Sequence, residues 1–201
     1  MQPTHRERLL AALEALLYRK SFHEVIIAEV VREAAVSKRT FYENFTDLEE
    51  CLLELYQFHA ARVAMLLLGL SKPGSPREWI RTATYTYMQI LLEALPASHH
   101  LYFDIISIGH RGIEVRHQGI QNFADMIISV IEQYLPMRRQ LSPLGRDAVM
   151  TVVAGITEAI LHSMECGDKS LLDRQVLVAE MLIMSIFNES NSEHSPGAEL
   201  L

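Results

Sequence analysis

Apolar residues recur along this chain with the period of an α-helix. Thr4 and Glu7 form a capping box, in which a hydroxyl and a carboxylate satisfy free backbone N–H groups at a helix start. We expect the helix that follows to end near Arg19. Its apolar stripe consists of Leu9, Leu13, Leu16 and Leu17. No stretch alternates apolar and polar residues between hairpin turns, so the sequence predicts an all-α fold of about nine helices.

Breaking and capping residues predict the later helices. Thr46 and Glu49 form a second capping box, which predicts a long helix running to about Leu70. Gly109 and Gly112 are expected to loosen the chain between two helices. The remaining predicted helices span 76–94, 99–108, 113–134, 143–166 and 170–187. The polar stretch after them predicts a disordered tail at 191–201.

Residues 21–45 predict two short helices joined by a tight turn. The first is expected at 27–34, the turn at Ala35-Val36, and the second helix begins after Ser37, a good N-cap. Two short helices around a tight turn are typical of a helix-turn-helix. The sequence therefore predicts a three-helix DNA-binding domain at 1–46, followed by a larger helical domain at 47–190.

The second helix of this motif divides into a core side and a polar side. Phe41 and Phe45, four residues apart, are expected to anchor it to the core. Lysine and arginine can pair with guanine or phosphate, asparagine can pair with adenine, and tyrosine can bind a phosphate oxygen. The candidate DNA-binding residues are Ser37, Lys38, Arg39, Thr40, Tyr42, Glu43 and Asn44.

The string Ala-Ala-Val-Ser-Lys-Arg-Thr-Phe-Tyr-Glu-Asn-Phe at 34–45, with Phe22 ahead of it, resembles the TetR family of repressors. The resemblance implies a dimeric repressor that binds double-stranded, palindromic operator DNA and is released by a small, largely apolar effector. The chain departs from the family pattern at several positions where glycine, threonine, histidine or lysine is usual. These positions are Ser21, Val25-Ile26, Ala35, Asn44 and Leu48.

The formal charge of −7 is unusual for a protein that binds nucleic acid. DNA binding must therefore depend on where a few cations lie and not on a large number of them. With Lys38, Arg39 and Arg6 or Arg8 as the nearby cations, we expect a shallow salt dependence, with a log–log slope of roughly −4 to −7 for a dimer. The acidic balance also favours one alternative, a helical adaptor that binds protein without DNA specificity.

The last two predicted helices are the candidate dimer interface. The first carries an apolar face beside a ridge of small residues, which allows helices to approach closely. The second is apolar nearly all round, which implies cover on more than one side. The alternative is a bundle within one chain. The candidate interface residues are Val152, Gly155, Ile156, Ala159, Ile160, Ser163, Val178, Leu182 and Ile186.

The resemblance also implies an apolar effector cavity between the DNA-binding part and the dimer interface. Aromatic residues and methionines at helical spacing are also typical of plain core, so both interpretations remain open. The candidate pocket residues are Phe58, His59, Tyr85, Met88, Tyr102, Phe103, Phe123 and Met126.

No motif indicates catalysis, a cofactor or a metal. The sequence lacks HExxH, GxSxG and glycine-rich nucleotide patterns, so we expect no enzyme activity. Cys51 and Cys166 are expected to be buried apolar residues. His110, Glu114 and His117 can share a helix face, and we favour a polar surface there over a metal site.

The chain is expected to be cytoplasmic, without a membrane partner. Its start, Met1–Arg8, is polar and charged, unlike a secretory signal. The longest aliphatic run, 63–68, is too short to span a bilayer.

Overall fold

A computed structural model describes residues 3–70, 74–93, 97–133, 141–166 and 169–192. Within these residues the chain forms nine α-helices and no strand, which confirms the predicted all-α fold. The helices are α1 His5–Leu17, α2 Ile27–Glu33, α3 Lys38–Asn44, α4 Leu48–Leu68, α5 Pro76–Glu93, α6 Ala97–Ser107, α7 His110–Glu132, α8 Pro143–Cys166 and α9 Lys169–Ser192. One 3-10 turn, Phe22–Glu24, precedes α2.

Most helix ends lie within three residues of the predicted positions, and α9 is the exception. This helix continues to Ser192 rather than ending at 187, so the predicted tail at 191–201 begins inside it. The rest of that tail lies outside the described residues.

The start of α4 is capped differently from the prediction. The Asp47 carboxylate accepts the backbone N–H of Glu50 at 2.6 Å, which makes Asp47 the capping residue. The Glu50 carboxylate reaches back to the N–H of Thr46 at 2.6 Å and to its hydroxyl at 2.7 Å. The predicted pairing of Thr46 with Glu49 is therefore wrong. Because α4 begins one residue later, its third helical residue is Glu50.

Gly109 and Gly112 have different roles at the junction of α6 and α7. Gly109 has a φ of +79°, a left-handed conformation that favours glycine and turns the chain. Gly112 is buried inside α7, where a Cβ would lie 1.7 Å from the Ile105 carbonyl oxygen. The prediction that Gly112 loosens the chain is therefore wrong. It lets α7 approach the end of α6 closely.

The chain divides into two compact units, residues 1–63 with 90–119, and residues 64–89 with 120–201. In the first unit, α1, α2 and α3 share a core with α6, and the Asp104 carboxylate of α6 accepts the N–H of Phe22 at 2.7 Å. The second unit contains the packed pair α8 and α9. The helix-turn-helix is therefore built into a larger unit than the first three helices alone.

Among the described helices, α4 alone is long and apolar enough to cross a membrane by length and composition. Part of α4 is buried inside the protein, where Cys51 and Leu52 are fully covered. The core helix of a soluble protein passes the same test, so α4 is weak evidence for a membrane segment.

Candidate functional site

The recognition-helix candidate α3 is held by a polar cap and two aromatic anchors. The Ser37 hydroxyl accepts the N–H of Thr40 at 3.0 Å, and the two hydroxyl oxygens lie 2.8 Å apart. Phe41 and Phe45 are 0% and 2% exposed, and their ring centroids lie 5.8 Å apart. Since α3 has only seven residues, it depends on these contacts for its shape.

The opposite side of α3 carries exposed polar side chains. The side chain of Arg39 is 89% exposed, and Tyr42 is 53% exposed. Lys38 is also exposed. The Arg39 Nε donates to Glu43 Oε1 at 2.9 Å, one turn along the same helix. The structure therefore brings Lys38, Arg39, Tyr42 and Glu43 together on one accessible surface.

Asn44 does not extend outward with the other candidate residues. Its side-chain amide donates to the Thr40 carbonyl at 2.7 Å, because the short side chain at the last helical residue reaches the preceding turn. Pairing with adenine would require the amide to leave this carbonyl. The assignment of Asn44 to DNA binding stays a prediction with that condition attached.

The turn between α2 and α3 contains a strained alanine. Ala35 has a φ of +50°, in the left-handed region where a side chain costs roughly 1–2 kcal/mol. Its carbonyl and that of Ala34 accept hydrogen bonds from the Arg8 guanidinium at 2.9 and 2.5 Å. Ala35 stands where the TetR pattern has glycine, so the chain keeps the turn geometry with a less suitable residue.

We expect the substitution Ala35→Gly to raise the free energy of unfolding by about 0.5–1 kcal/mol, since glycine removes the strain at positive φ. Denaturant titration measures this change. The matched control is Ala34→Gly, at the buried capping residue directly after α2, which has a φ of −71° and should lose stability on substitution by glycine. Equal effects of the two variants would contradict the role assigned to the turn.

The first helix of the motif begins without a hydroxyl cap. Ile26 occupies the capping position, and its N–H donates instead to the Glu29 carboxylate at 3.1 Å. Lys20 Nζ lies 2.7 and 2.8 Å from the two oxygens of Glu29 and helps to lower its pKa below the usual value. The position of Glu29, three residues after Ile26, was a sequence signal for this cap, even though Val25 and Ile26 stand where the TetR pattern has threonines.

Residues 9–55 match the family described as "Bacterial regulatory proteins, tetR family". This segment contains both helices of the motif, the strained turn and the first part of α4. The chain carries the DNA-binding domain of the TetR family. The resemblance seen in the sequence is thereby confirmed.

Solved structures share the fold over most of the chain. A TetR transcriptional regulator from Rhodococcus sp. RHA1 is 14% identical, with a TM-score of 0.66 over 89% of this chain and 96% of that one. The dihydroxyacetone kinase operon activator DhaS is 17% identical, with a TM-score of 0.64 over 92% and 97%. FadR from Bacillus subtilis, solved with stearoyl-CoA, is 15% identical, with a TM-score of 0.64 over 88% and 96%.

The predicted dimer residues occupy two faces of α8 and α9. Ile156, Ile160 and Ser163 are buried in the subunit, because they continue the helical stripe of the buried Val149 and Val153. Their assignment to a surface interface does not fit this placement. Gly155 and Val178 are exposed, Leu182 is 38% exposed, and Val152, Ala159 and Ile186 are partly exposed.

Sequence reasoning missed two residues on the exposed face of α9. Leu177 and Met181 are 59% and 62% exposed, beside Val178 and Leu182. We call the exposed parts of α8 and α9 the α8/α9 face. It consists of Val152, Gly155, Ala159, Leu177, Val178, Met181 and Leu182. The spacing of Leu177 and Met181, one helical turn apart, was the available signal.

The predicted pocket residues are divided between the two units, four in each. Phe58 and Tyr85 are 50% and 51% exposed, and Phe103 is half-buried. Tyr102 packs edge-on against Tyr56, with ring centroids 5.4 Å apart. Met88 is buried in the second unit.

His59, another predicted pocket residue, contacts α1. Its Nε2 lies 3.2 Å from the Glu14 carboxylate and helps to lower the pKa of Glu14 below its usual value. This contact joins α1 to α4 inside the first unit. The geometry therefore accounts for His59 as a packing partner of α1.

Phe123 and Met126, the last two predicted pocket residues, line a cavity in the second unit. The cavity has a volume of about 440 Å³, which includes the space at its open mouth. Its walls come from α5, α7, α8 and α9. The other lining residues are Trp79, Ile80, Ala83, Thr84, Tyr87, Ile127, Val153, Ile156, Thr157 and Ile183. They are apolar or aromatic apart from two threonine hydroxyls and one tyrosine hydroxyl, and sequence spacing does not reveal that four helices converge here.

The two cysteines differ in exposure. Cys51 is buried, and burial raises the pKa of its thiol to about 12. Cys166 is exposed at the end of α8, so the prediction that it is buried is wrong. In the described part of the chain, no three His, Cys, Asp or Glu side chains form a group that can hold a metal ion.

Proposed function

We propose that this protein is a sequence-specific transcriptional repressor that binds a palindromic operator as a homodimer and leaves it when a small, largely apolar effector binds. The observation that carries the proposal is the exposed polar surface of α3, fixed from behind by buried Phe41 and Phe45. In a helix-turn-helix the second helix lies in the major groove and places such side chains against base edges and phosphates.

Selection of bound sequences from random duplex DNA tests the proposal directly. A repressor should enrich a palindrome with half-sites about one helical turn apart. If selection enriches no sequence, the result favours the alternative function, a helical adaptor that binds protein without DNA specificity. One protein of similar fold is described as an operon activator, so repression has to be distinguished from activation. Expression of a reporter gene placed behind the selected site makes that distinction.

Substitutions on α3 should separate base contacts from phosphate contacts. We expect Arg39→Ala to weaken operator binding roughly 5- to 100-fold and to relax base preference, as a lost bidentate base contact does. Lys38→Ala and Tyr42→Ala should weaken binding to all sequences, and Lys38→Ala should reduce the salt slope by about 1 per subunit. Fluorescence anisotropy on selected and scrambled duplexes measures both quantities. Variants indistinguishable from the unmodified protein would contradict the proposal.

The dimer part of the proposal rests on the α8/α9 face. Leu177 and Met181 are largely exposed apolar side chains, and they adjoin Val178 and Leu182 on the same helix. Exposed apolar patches of this kind mark interaction sites, and most soluble oligomers are symmetric dimers. A second copy of the chain is the partner whose two-fold symmetry would match a palindromic operator.

The effector part rests on the cavity in the second unit. Its lining, mostly apolar with a few polar groups, is typical of small-molecule sites. An apolar ligand would release DNA only if it bound more tightly to a conformation with a different spacing of the recognition helices. A thermal-shift screen with neutral lipophilic compounds tests whether the cavity binds a ligand.

Filling the cavity should abolish that shift without affecting DNA binding. Ala83 is buried in the lining, so Ala83→Phe would occupy the space that a ligand needs. We expect hits from the screen to lose their thermal shift in this variant, while operator affinity in the absence of ligand stays within about twofold. Thr82→Phe, at an exposed position of the same helix, is the matched control. Equal shifts in both variants would place the ligand elsewhere.

A further inference from the structure

Arg6, at the start of α1, bonds to residues of α3 and α4, although its side chain stays 43% exposed. Its Nε and Nη2 donate to the two carboxylate oxygens of Glu54, the first at 2.6 Å. Its Nη1 donates to the Asn44 carbonyl at 2.7 Å. The guanidinium carbon also lies 4.6 Å from the centroid of the Phe45 ring. One side chain thus connects α1 and α4 to the C-terminal end of α3.

Arg8 bonds to the C-terminal end of α2, the first helix of the motif. Its Nη2 donates to the carbonyls of Ala34 and Ala35, directly after α2. The last carbonyls of a helix lack intrahelical partners and carry partial negative charge. A guanidinium placed there satisfies them and fixes the direction in which the helix ends.

We infer that Arg6 and Arg8 are positioning residues, which orient the helix-turn-helix for operator recognition and do not bind phosphate. Arg6 acts through the Asn44 carbonyl and the Phe45 ring, and Arg8 acts through the turn that precedes α3. Both α2 and α3 have seven residues, too few to keep a fixed shape without tertiary contacts. The inference rests on the proposed function, because it assigns residues to operator recognition.

Glu54 makes the inference testable, because two explanations predict opposite signs for its removal. If Arg6 served as a phosphate contact, Glu54→Gln would remove a negative charge, release the guanidinium and strengthen DNA binding. If Arg6 orients α3, the same variant loosens the reading helix and weakens operator binding. The substitution keeps the shape of the side chain, so its main effect is on charge and hydrogen bonding.

The experiment measures dissociation constants of Glu54→Gln on a selected operator and on a scrambled duplex across a salt range. We expect operator binding to weaken about 5- to 10-fold, in line with the loss of one or two charge-assisted hydrogen bonds. Binding to the scrambled duplex and the salt slope should stay the same within error. Tighter operator binding or a steeper slope would overturn the inference, and so would unchanged operator affinity.

Two further variants separate charge from geometry. Asp125→Asn removes an equal charge from an exposed pair with Arg146 in the second unit, and should leave operator affinity unchanged or slightly improved. Arg6→Lys keeps the positive charge but lacks the planar fork that reaches Glu54 and Asn44 together, so it should weaken operator binding by an intermediate factor. Full activity of Arg6→Lys would show that charge alone matters.

A measurement without DNA makes this test independent of the operator. Amide hydrogen exchange in α3 should be several-fold faster in Glu54→Gln than in the unmodified protein, while exchange in α8 and α9 stays the same. Binding is compared at a temperature where every variant is fully folded, because a merely structural residue would then leave affinity unaffected. If the unmodified protein shows no operator selectivity, the proposed function is contradicted. If it is selective and the variants bind the operator as it does, only this inference is contradicted.

Discussion

Replacing Gly155 by arginine should convert the proposed dimer into monomers. Apart from its chain neighbours and the backbone of its own helix, no atom of the described residues lies within 4 Å of the position that a Cβ would occupy at this exposed glycine. The fold of one chain therefore does not require glycine here, and arginine is the better helix former by about 1 kcal/mol. In a two-fold interface each substitution occurs twice, so both arginines would be forced out of water without a partner.

We expect the dimer dissociation constant to rise roughly 100- to 1000-fold, since an unpaired buried charge costs about 3–5 kcal/mol. Sedimentation velocity over a concentration series measures the constant, and denaturant titration should show an intact fold. Operator affinity should fall with it, because each monomer binds only one half-site.

Gly74→Arg is the matched control for this prediction. Gly74 is also exposed, its added Cβ has no atom of the described residues within 4 Å beyond its chain neighbours, and it lies outside the α8/α9 face. The control should keep the dimer dissociation constant of the unmodified protein. A Gly155→Arg protein that dimerises normally would show that the subunits meet elsewhere.

The substitution Phe41→Ala should unfold the recognition helix and abolish DNA binding. Phe41 is fully buried and contacts the rings of Tyr42 and Phe45, at centroid distances of 5.6 and 5.8 Å. Truncation of a buried phenylalanine costs roughly 3–5 kcal/mol, a large part of the stability of a small domain. Denaturant titration measures the loss, and operator binding should disappear at temperatures where the unmodified protein binds.

The neighbouring aromatic residue provides the control on the same helix. Tyr42 is 53% exposed, so Tyr42→Ala should change the free energy of unfolding by much less than Phe41→Ala while still weakening DNA binding. The two variants thus distinguish a core residue that holds α3 in place from a surface residue that contacts DNA. Comparable stability losses in both variants would mean that Tyr42 is also part of the core.

The helix-turn-helix could be predicted from sequence because its determinants are local. Ser37 caps the helix that follows it, and Phe41 and Phe45 face the core because they are four residues apart. The departure from glycine at Ala35 could also be noticed in the sequence. Its consequence, a φ of +50°, could not be, because a strained conformation survives only where surrounding contacts enforce it.

The candidate interface was only partly predictable because each residue of α8 has two possible neighbours. Periodicity identifies an apolar stripe but does not say whether a helix of the same chain or of another subunit covers it. The structure assigns Ile160 and Ser163 to the interior of the subunit and leaves Gly155 exposed. The lining of the cavity was also only partly predictable, because helices far apart in sequence form its walls.

The sequence by itself determined that this chain is helical, where most of its helices lie, and which short helix carries the polar surface of a DNA-binding motif. These properties depend on residues within one or two helical turns, whose spacing is visible in the sequence. Only the tertiary structure decided that Arg6 and Arg8 bond to the ends of the motif's two helices, that Gly112 packs against Ile105, and that four helices line a cavity. Such contacts join residues distant along the chain, and their geometry is set by how the helices pack.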